Sequence, residues 1–277
     1  MSGMIKTMKS QELIPYVIAV FHHKGGVGKT TAAINLGACF AELQQETLII
    51  DLDPSANLTS GVGIRPANVR HSIADVLLGN ETLVNVSQPT EIPRLDIIPT
   101  NNDMQTVAKF FTLRNRYEEL LRKNIVALVS TPKDPDQSPK AYKWVIMDCP
   151  PSVGPLVITA IIAANLLIIP IKCEYYSLQN LKIMFEIINT IRHKSNPNLS
   201  FRLLISLSDQ RDNIQTRIMD EVRKFYGPAM FDTVISYDNK LGYSQIYGKS
   251  IIEYAPKSLA TEQFRALAQE IINYNQR

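Results

Sequence analysis

Cysteine is scarce in this chain of 277 residues, which contains three cysteines and a single tryptophan. So few cysteines, in an odd number, argue against a disulfide scaffold and fit a protein that folds in a reducing compartment. Charge of one sign is also scarce, since 29 basic residues stand against 26 acidic ones and the formal net charge is +3. This small excess permits contact with an anionic partner but does not by itself indicate one.

Long apolar runs are few. Two stretches could be mistaken for a signal peptide or a membrane-spanning segment, and they are Leu13–Phe21 and Val153–Ile171. The first leads directly into a glycine-rich segment instead of a cleavage site, which favours a buried strand over a signal peptide. The second carries no charge and just reaches membrane-spanning length, but Pro155, Asn165 and Pro170 divide it. We therefore expect a helix followed by a buried strand there, and no membrane-spanning segment.

Short runs of valine, isoleucine and leucine alternate along the chain with segments of helical length. The predicted strands are Tyr16–Phe21, Thr47–Leu52, Leu95–Pro99, Lys143–Asp148, Leu166–Ile171, Phe201–Leu207 and Met230–Ile235. The predicted helices are Lys29–Leu43, Ile73–Leu78, Met104–Val129, Leu156–Ala164, Leu178–His193, Ile214–Tyr226 and Leu259–Tyr274. Most strand candidates lack polar alternation, as central strands of a parallel sheet do. The pattern predicts an α/β fold: a doubly wound, mostly parallel sheet with helices on both faces.

The chain shows no internal repeat and no second core. We interpret residues 1–12 as a flexible N-terminal extension and residues 13–277 as a single domain. Within that domain, Ser130–Lys140 contains three prolines and no apolar anchor. This composition predicts an exposed loop.

A glycine-rich segment follows the first predicted strand and opens the first predicted helix. It reads Lys24, Gly25, Gly26, Val27, Gly28, Lys29, Thr30, Thr31. Glycines let backbone N–H groups converge on phosphate oxygens, and a helix N-terminus adds partial positive charge. Lys29 is expected to neutralise the β- and γ-phosphates, and the Thr30 hydroxyl to ligate Mg²⁺. His23 stands where the usual phosphate-loop pattern has its first glycine, so the segment is a variant with a second lysine, Lys24.

Aspartates stand at the ends of two predicted strands. Asp148 ends its strand at the position from which a carboxylate holds Mg²⁺ through water. Asp51 and Asp53 end the second strand, and their spacing allows one to lie near the metal and the other near the attacking water. Because ligands of open α/β sheets bind at the carboxyl ends of the strands, these residues are expected to share one site. The predicted metal ligands are Thr30, Asp51 and Asp148.

Five segments taken together resemble the ParA/Soj branch of the ParA/MinD ATPases: KGGVGKTT, DLDPSANLTSGVG, DCPPS, EYYSLQNL and YGKSIIEYAPKS. The resemblance runs from about Val17 to Ile271 and implies a P-loop fold with a deviant Walker A motif that dimerises around two ATP molecules. It implies that Lys24 is the signature lysine, which reaches the partner's nucleotide. It further implies the phosphate lysine in Lys29, the Mg²⁺ ligand in Thr30, the water-positioning residue in Asp53 and the Walker B carboxylate in Asp148.

The same resemblance implies a function. It is that of a cytoplasmic, nucleoid-associated switch, in which slow ATP hydrolysis serves plasmid partition, chromosome partition or the positioning of a protein cargo. The implied cofactors are ATP and Mg²⁺. The implied partners are a second copy of the chain, non-specific DNA and a ParB-like or cargo-adaptor protein that activates hydrolysis, but no membrane.

One segment departs from the family's pattern. Where relatives often have P-R-N-V-R-L-S-E-A-P, this chain has SYDNKLGYSQ, so that Tyr237 and Lys240 replace the arginines and Tyr243 replaces the glutamate. The missing arginines leave contact with DNA at this segment open. Composition alone favours a solvated surface here, because basic and acidic residues nearly balance, and it is the resemblance that assigns DNA contact to the basic residues around the segment. These candidates are Arg223, Lys224, Lys240, Lys249 and Lys257.

Two other classes of function remain open. A metabolic P-loop enzyme of the dethiobiotin or cobyrinate synthetase type would need a substrate pocket, for which no motif is visible. A MinD-like membrane ATPase would need a basic amphipathic C-terminal helix. The final segment, TEQFRALAQEIINYNQR, is instead balanced in charge.

Overall fold

The computed structural model describes residues 14–113, 116–128, 140–174, 177–209 and 212–276. The predicted N-terminal extension, residues 1–12, and all but the last residue of the predicted loop Ser130–Lys140 lie outside these ranges. The described residues contain an eight-stranded sheet with the order β3-β4-β2-β5-β1-β6-β7-β8. The strands are β1 (Tyr16–Val20), β2 (Thr47–Asp51), β3 (Gln88–Pro89), β4 (Leu95–Ile98), β5 (Trp144–Asp148), β6 (Leu166–Ile171), β7 (Ser200–Ser208) and β8 (Ile235–Ser236).

Neighbouring strands are parallel throughout this sheet except at one edge, where β3 runs antiparallel to β4. The sheet extends from the central strand β1 in both directions, which confirms the predicted doubly wound, mostly parallel arrangement. The helices of the described residues are α1 (Lys29–Glu42), α2 (Asn57–Gly61), α3 (Ile73–Leu78), α4 (Leu83–Val86), α5 (Met104–Phe110), α6 (Leu120–Leu128), α7 (Pro155–Ala163), α8 (Ser177–Lys194), α9 (Asn213–Tyr226), α10 (Asn239–Ile246), α11 (Ile251–Tyr254) and α12 (Leu259–Asn275).

Side chains that alternate along the strands pack into two hydrophobic clusters, one on each face of the sheet. In β1, Val17 and Ala19 join the first cluster, and Ile18 and Val20 join the second. Helices α3 to α9 contribute to the first cluster, whereas α1, α2, α10, α11 and α12 contribute to the second. Helices therefore cover both faces, as predicted.

The uncharged stretch Val153–Ile171 forms α7 followed by β6, in agreement with the prediction. Every residue of β6 is buried, which explains its lack of polar side chains. Among the described residues, no helix has the length and apolar character needed to cross a membrane.

The predicted helix Met104–Val129 is wrong, because the structure divides it into α5 and α6. Between them lie the 3₁₀ turns Phe111–Leu113 and Tyr117–Glu119, and Arg116 has a φ of 56° that no α-helix accommodates. The rings of Phe111 and Tyr117 meet edge to face with their centroids 5.4 Å apart. This aromatic contact packs the two turns together where the chain changes direction.

The last strand is also shorter than predicted. Instead of Met230–Ile235, the paired segment is Ile235–Ser236, while Met230 forms only an isolated bridge to Leu203. The two-residue strand β3 was not predicted at all, because it ends in Pro89. Proline is a signal against strands and is tolerated only at an edge.

Candidate functional site

The predicted phosphate loop connects β1 to α1 at the carboxyl edge of the sheet. Gly26 and Gly28 have φ values of 69° and 88°, a left-handed conformation that glycine adopts readily. A Cβ atom added to Gly25 or Gly26 would find no atom within 4 Å, so this part of the loop borders open space. The buried Ser206 hydroxyl, on β7, donates to the Val27 carbonyl oxygen at 2.6 Å and holds the loop from behind. The result is a glycine-rich backbone cradle, open on one side, whose N–H groups can receive phosphate oxygens.

Thr30 and Asp148, two of the predicted metal ligands, lie side by side. The Thr30 hydroxyl donates to Asp148 Oδ2 at 2.6 Å. Asp148 is fully buried, and its Oδ1 has no hydrogen-bond partner among the described residues. Burial, and secondly the charge of Asp51 beside it, raise the pKa of the Asp148 carboxyl well above its usual value. A hydroxyl next to a carboxylate with an unsatisfied oxygen is a donor set that fits Mg²⁺.

Asp51, the third predicted metal ligand, makes different contacts. It pairs in register with Asp148 across β2 and β5, but both of its carboxylate oxygens accept hydrogen bonds from the chain. Oδ2 accepts from the Thr59 N–H at 2.8 Å and from the Thr59 hydroxyl at 2.6 Å, and Oδ1 accepts from the Asp53 N–H at 3.1 Å. Burial raises the pKa of Asp51 to about 7. The structure thus uses Asp51 to anchor the loop that carries Asp53.

Asp53 lies just beyond β2 and lines a cavity of about 480 Å³. Its Oδ1 accepts a hydrogen bond from the Ser55 N–H at 2.9 Å, which fixes the side chain at the start of the loop. The predicted phosphate-binding residues Gly25, Gly26, Gly28, Lys29, Thr30 and Thr31 line the same cavity. The volume is in the range of sites for small ligands. The carboxylate and the phosphate cradle therefore face one ligand space.

Lys29 is buried, and its Nζ donates to the Lys24 carbonyl oxygen at 3.1 Å. Burial lowers the pKa of its ammonium group, although Asp148 and Asp53 act in the opposite direction. A buried ammonium held by a single carbonyl is poorly satisfied. It is therefore well prepared to bind a phosphate, which is a stronger acceptor.

Lys24 forms an ion pair with Glu174, which lies three residues after the end of β6. Both side chains are exposed, and the hydrogen bond from Lys24 lowers the pKa of Glu174. Sequence reasoning missed Glu174, although the signal was present: like Asp53 and Asp148, it is a carboxylate near the carboxyl end of a predicted strand. Thr59 was missed as well, although it lies in the segment DLDPSANLTSGVG, because nothing in that segment distinguished it from its neighbours.

His22 fixes the entry into the phosphate loop. Its Nδ1 accepts a hydrogen bond from the Lys24 N–H at 2.9 Å, and its ring stacks on His23 with centroids 4.7 Å apart. Burial, followed by the neighbouring His23, lowers the pKa of His22 to about 4. At neutral pH the imidazole is uncharged and can act as this acceptor.

The five predicted DNA-binding residues are divided by the sheet. Arg223 and Lys224 lie on α9, which packs on the first face, whereas Lys240, Lys249 and Lys257 belong to the α10–α12 region on the second. Arg223 is half-buried and donates to the Asp232 carbonyl oxygen at 3.1 Å. The three lysines of the second face are exposed. The structure thus separates α9 from the α10–α12 side, where the three lysines lie.

Helix α12 bears on the MinD-like alternative. Its apolar residues Phe264, Leu267, Ala268 and Ile271 are buried in the second hydrophobic cluster. Arg265 on the same helix forms a bidentate ion pair with Glu42 at the end of α1. The apolar side of α12 is therefore occupied by the core, whereas a membrane-binding helix would present it to lipid.

The chain is similar to known proteins in sequence and in fold. A family model described as an AAA domain matches residues 16–201. The chain is 32% identical to the sporulation initiation inhibitor protein Soj of Bacillus subtilis, over 92% of the chain and 97% of that protein. It is 33% identical to the chromosome partitioning protein ParA of Myxococcus xanthus, over 92% of the chain and 87% of that protein.

A solved structure is similar over nearly the whole chain. It is cobyrinic acid a,c-diamide synthase from Mycobacterium smegmatis with a bound ATP analogue and magnesium. The TM-score is 0.80 at 25% identity, covering 95% of this chain and 96% of that one. Similarity in fold therefore extends to a metabolic enzyme, while the sequence relatives above are a sporulation inhibitor and a partitioning protein.

Proposed function

Because the chain belongs to the ParA/Soj branch of the ParA/MinD ATPases, we propose that it is an ATP-driven switch that partitions or positions a cargo over the nucleoid. Its cofactors are ATP and Mg²⁺, and its reaction is the hydrolysis of ATP to ADP and phosphate. The observation that carries the proposal is the cavity lined by the phosphate cradle, Thr30 and Asp53, together with the hydrogen bond that joins Thr30 to the buried Asp148. The loop and Lys29 would hold the phosphates, and Thr30 and Asp148 would hold Mg²⁺.

Each residue of this site has a proposed task. The bound Mg²⁺ supplies positive charge against the phosphate oxygens. Lys29 leaves the Lys24 carbonyl and binds the β- and γ-phosphates, adding to that charge. Asp53 accepts a hydrogen bond from the attacking water and orients it. Asp51 holds Asp53 in place through the backbone hydrogen bond described above and positions it without touching the reactants.

Lys24 acts on the nucleotide of the partner subunit in this proposal. In a single subunit it is paired with Glu174, so dimerisation requires this pair to open. The lysine then exchanges a carboxylate of its own chain for a phosphate of the partner's ATP. Dimerisation and hydrolysis are thereby coupled, because the group that joins the subunits also stabilises the charge that develops during the reaction.

DNA contact is assigned to Lys240, Lys249 and Lys257. They are exposed around α10–α12 on one face, and a dimer would present two such sets. Lysines bind phosphates as point charges and read no base sequence, so binding is expected to be non-specific. We propose that this contact retains the protein on the nucleoid in the cytoplasm, and that a ParB-like or cargo-adaptor protein accelerates hydrolysis to release it.

The test is ATP turnover and oligomeric state with ATP as the sole substrate. Wild-type protein should dimerise with ATP and Mg²⁺, remain monomeric with ADP, and hydrolyse ATP slowly without a co-substrate. Lys29→Ala should bind the nucleotide roughly 10- to 150-fold more weakly, since a charge-assisted hydrogen bond contributes about 1.5–3 kcal/mol. Lys109→Ala, an exposed lysine on α5, is the matched control and should behave as wild type.

The same experiment separates the proposal from the metabolic alternative. An enzyme of the cobyrinate synthetase type transfers phosphate to a carboxylate substrate. Failure to hydrolyse ATP alone, together with turnover that appears only when a carboxylic acid is supplied, would contradict the switch. Monomers in the presence of ATP would contradict it as well.

A further inference from the structure

Helix α10 touches the phosphate-loop helix through one side chain. The amide Nε2 of Gln245 donates to the Thr31 hydroxyl oxygen at 2.7 Å. Gln245 also lines the cavity that contains the phosphate cradle and Asp53. The bond to Thr31 uses one amide hydrogen, which leaves the second N–H of Gln245 for another acceptor.

The end of α10 touches the same region through its backbone. Gly248 follows α10 with a φ of 64°, and a Cβ atom placed there would lie 2.7 Å from the Gly63 Cα. Gly63 lies two residues after the end of α2, the helix that carries Thr59 and begins just after the Asp53 loop. Helix α10 is therefore held at two points, by α1 at the phosphate cradle and by the segment that follows Asp53.

The outer side of α10 is exposed and carries unusual residues. Tyr243, Ile246 and Tyr247 expose more than half of their surfaces, and Lys240 is exposed at the start of the helix. Of these side chains, Lys240 and Tyr243 belong to the segment that departs from the family's pattern, and Gln245, at the end of that segment, stands where relatives often have proline. Proline has no side-chain donor, so the bond to Thr31 is a property of this chain.

We propose that Gln245 is a nucleotide-binding residue that links α10 to the phosphate cradle. Its amide contacts ATP on the side of Thr31, and this contact fixes α10 and thereby its exposed face in one position. The inference rests on the proposed function, since it requires ATP in the cavity. It adds a binding residue from the C-terminal part of the chain and a route by which the nucleotide alters a surface suited to a partner.

The first measurement is the affinity for a fluorescent ATP analogue with Mg²⁺. Gln245→Ala should bind it about fivefold more weakly than wild type, the effect of one ordinary hydrogen bond. Gln245→Glu should bind it more weakly still. The glutamate can accept a hydrogen bond from the Thr31 hydroxyl, but it has no N–H donor and places a negative charge beside the phosphates.

The second measurement is hydrogen exchange of the backbone amides in residues 239–247, with and without saturating nucleotide. Wild-type α10 should be protected by ATP, and Gln245→Ala should lose that protection. The matched control is Gln269→Ala, an exposed glutamine on α12 whose side chain donates to Asn273 of its own helix. This control should retain wild-type affinity and protection.

An unchanged affinity in Gln245→Ala, or ATP-dependent protection of α10 that persists in it, would overturn the proposal. Thermal melting of each variant without nucleotide serves to show that the fold is retained. If wild-type protein itself bound no ATP, the proposed function would fail and this inference with it. Normal binding by wild type with no effect of Gln245→Ala would overturn this inference alone.

Discussion

At the scale of single residues, the proposed function gives the ion pair beside the phosphate loop a role in the equilibrium between monomer and dimer. Exposed ion pairs contribute only about 0.2–1 kcal/mol each, and the pair between Lys24 and Glu174 is exposed. In the proposed dimer two such pairs open, so together they would oppose dimerisation by about 0.4–2 kcal/mol. The pair would thus be strong enough to favour the monomer in the absence of ATP, and weak enough to break when ATP drives dimerisation.

Glu174→Gln should therefore strengthen ATP-dependent dimerisation. The amide no longer competes for the ammonium group, and we expect the dimer to dissociate about twofold to thirtyfold less readily, as the free energy above implies. Analytical ultracentrifugation with an ATP analogue measures this. Glu186→Gln on α8 is the control, and equal dissociation constants for Glu174→Gln and wild type would contradict the opposing role.

Asp53→Ala should retain ATP binding and accumulate the dimer. A group that orients water stabilises the transition state more than the bound ATP, so its loss lowers the hydrolysis rate with little change in affinity. Asp51→Ala should instead destabilise the fold by about 1–3 kcal/mol, because the buried Thr59 hydroxyl and two N–H groups lose their acceptor. ATP turnover and urea unfolding of the two variants separate these roles, and equal turnover in Asp53→Ala and wild type would transfer the role to another residue.

The neutral His22 ring predicts a loss of stability in acid. The pKa of this histidine is about 4 in the folded chain and near 6.5 when unfolded, so the unfolded chain binds more protons between these values. Its contribution is present above pH 6.5 and declines as the pH falls towards 4, by about 2 kcal/mol between pH 7 and pH 4.5. His22→Asn retains an acceptor for the Lys24 N–H but does not titrate. Urea unfolding at the two pH values should show a smaller loss for this variant, and identical losses would refute the assignment.

At the scale of elements, α10 depends on the close approach of two glycine backbones. Gly248→Ala would place a methyl group 2.7 Å from the Gly63 Cα and 2.9 Å from its N, at a φ of 64°. Neither neighbour is a flexible side chain, so the helix end must move. We expect a loss of about 1–3 kcal/mol in the free energy of unfolding, measured with urea.

Gly242→Ala is the matched control for this substitution. Gly242 lies inside α10 with open space where its Cβ would be, so alanine should stabilise the helix by about 0.5–1 kcal/mol. Opposite signs for these two glycines would confirm that the close approach to Gly63, together with the left-handed φ of Gly248, is responsible. Equal effects would show that α10 responds only to helix propensity.

The elements that sequence reasoning identified are those whose pattern is local and continuous. β6 is predicted to the residue, because its six residues are all apolar and buried. α3 is also predicted to the residue, since the apolar run begins after Ser72, a capping residue, and ends before Gly79. By contrast, α10 was not predicted, because Asn239–Ile246 contains a glycine and several polar residues and is defined by its tertiary contacts.

The candidate site was predictable to the same extent as the fold. Residues in a continuous local pattern were recognised, and contacts between distant elements were not. Glycines, lysine and threonine in a contiguous loop indicate phosphate binding, and strand-end aspartates indicate a metal, so the Thr30–Asp148 contact follows from topology once β1 and β5 are neighbours. The hydrogen bonds of Asp51 and the bond from Gln245 to Thr31 join residues on elements whose packing no local pattern specifies. Such contacts emerge only from the three-dimensional arrangement.

At the scale of the whole molecule, the sheet separates the surface formed by α10–α12 from the surface that carries α9. The lysines assigned to DNA lie on the side of α10–α12, and α9 with Lys224 lies on the other. If about three lysines of each subunit engage DNA, a dimer releases roughly six counterions, and log K should fall with log salt at a slope of about −5.

Removing charge from one side should affect DNA binding selectively. The combined substitution Lys240→Ala and Lys249→Ala removes four contacts from a dimer and should reduce the slope to about −2. Lys224→Ala, on the opposite side, should leave both affinity and slope unchanged. Duplex binding with ATP across a salt series measures all three proteins. Equal losses in the two variants, or equal binding with ATP and ADP, would contradict the assignment.

The pairing of Lys24 with Glu174 also determines how the assembly responds to its ionic surroundings. In the proposed dimer one ammonium group exchanges one anion for another when the subunits join, so dissolved salt would weaken the bonds on both sides of the equilibrium and its effects would largely cancel. Binding to DNA has no such compensation, because every lysine that binds a DNA phosphate releases a counterion. As ionic strength rises, two subunits should therefore release DNA well before they release each other. The protein would then leave the nucleoid as an intact, still loaded pair.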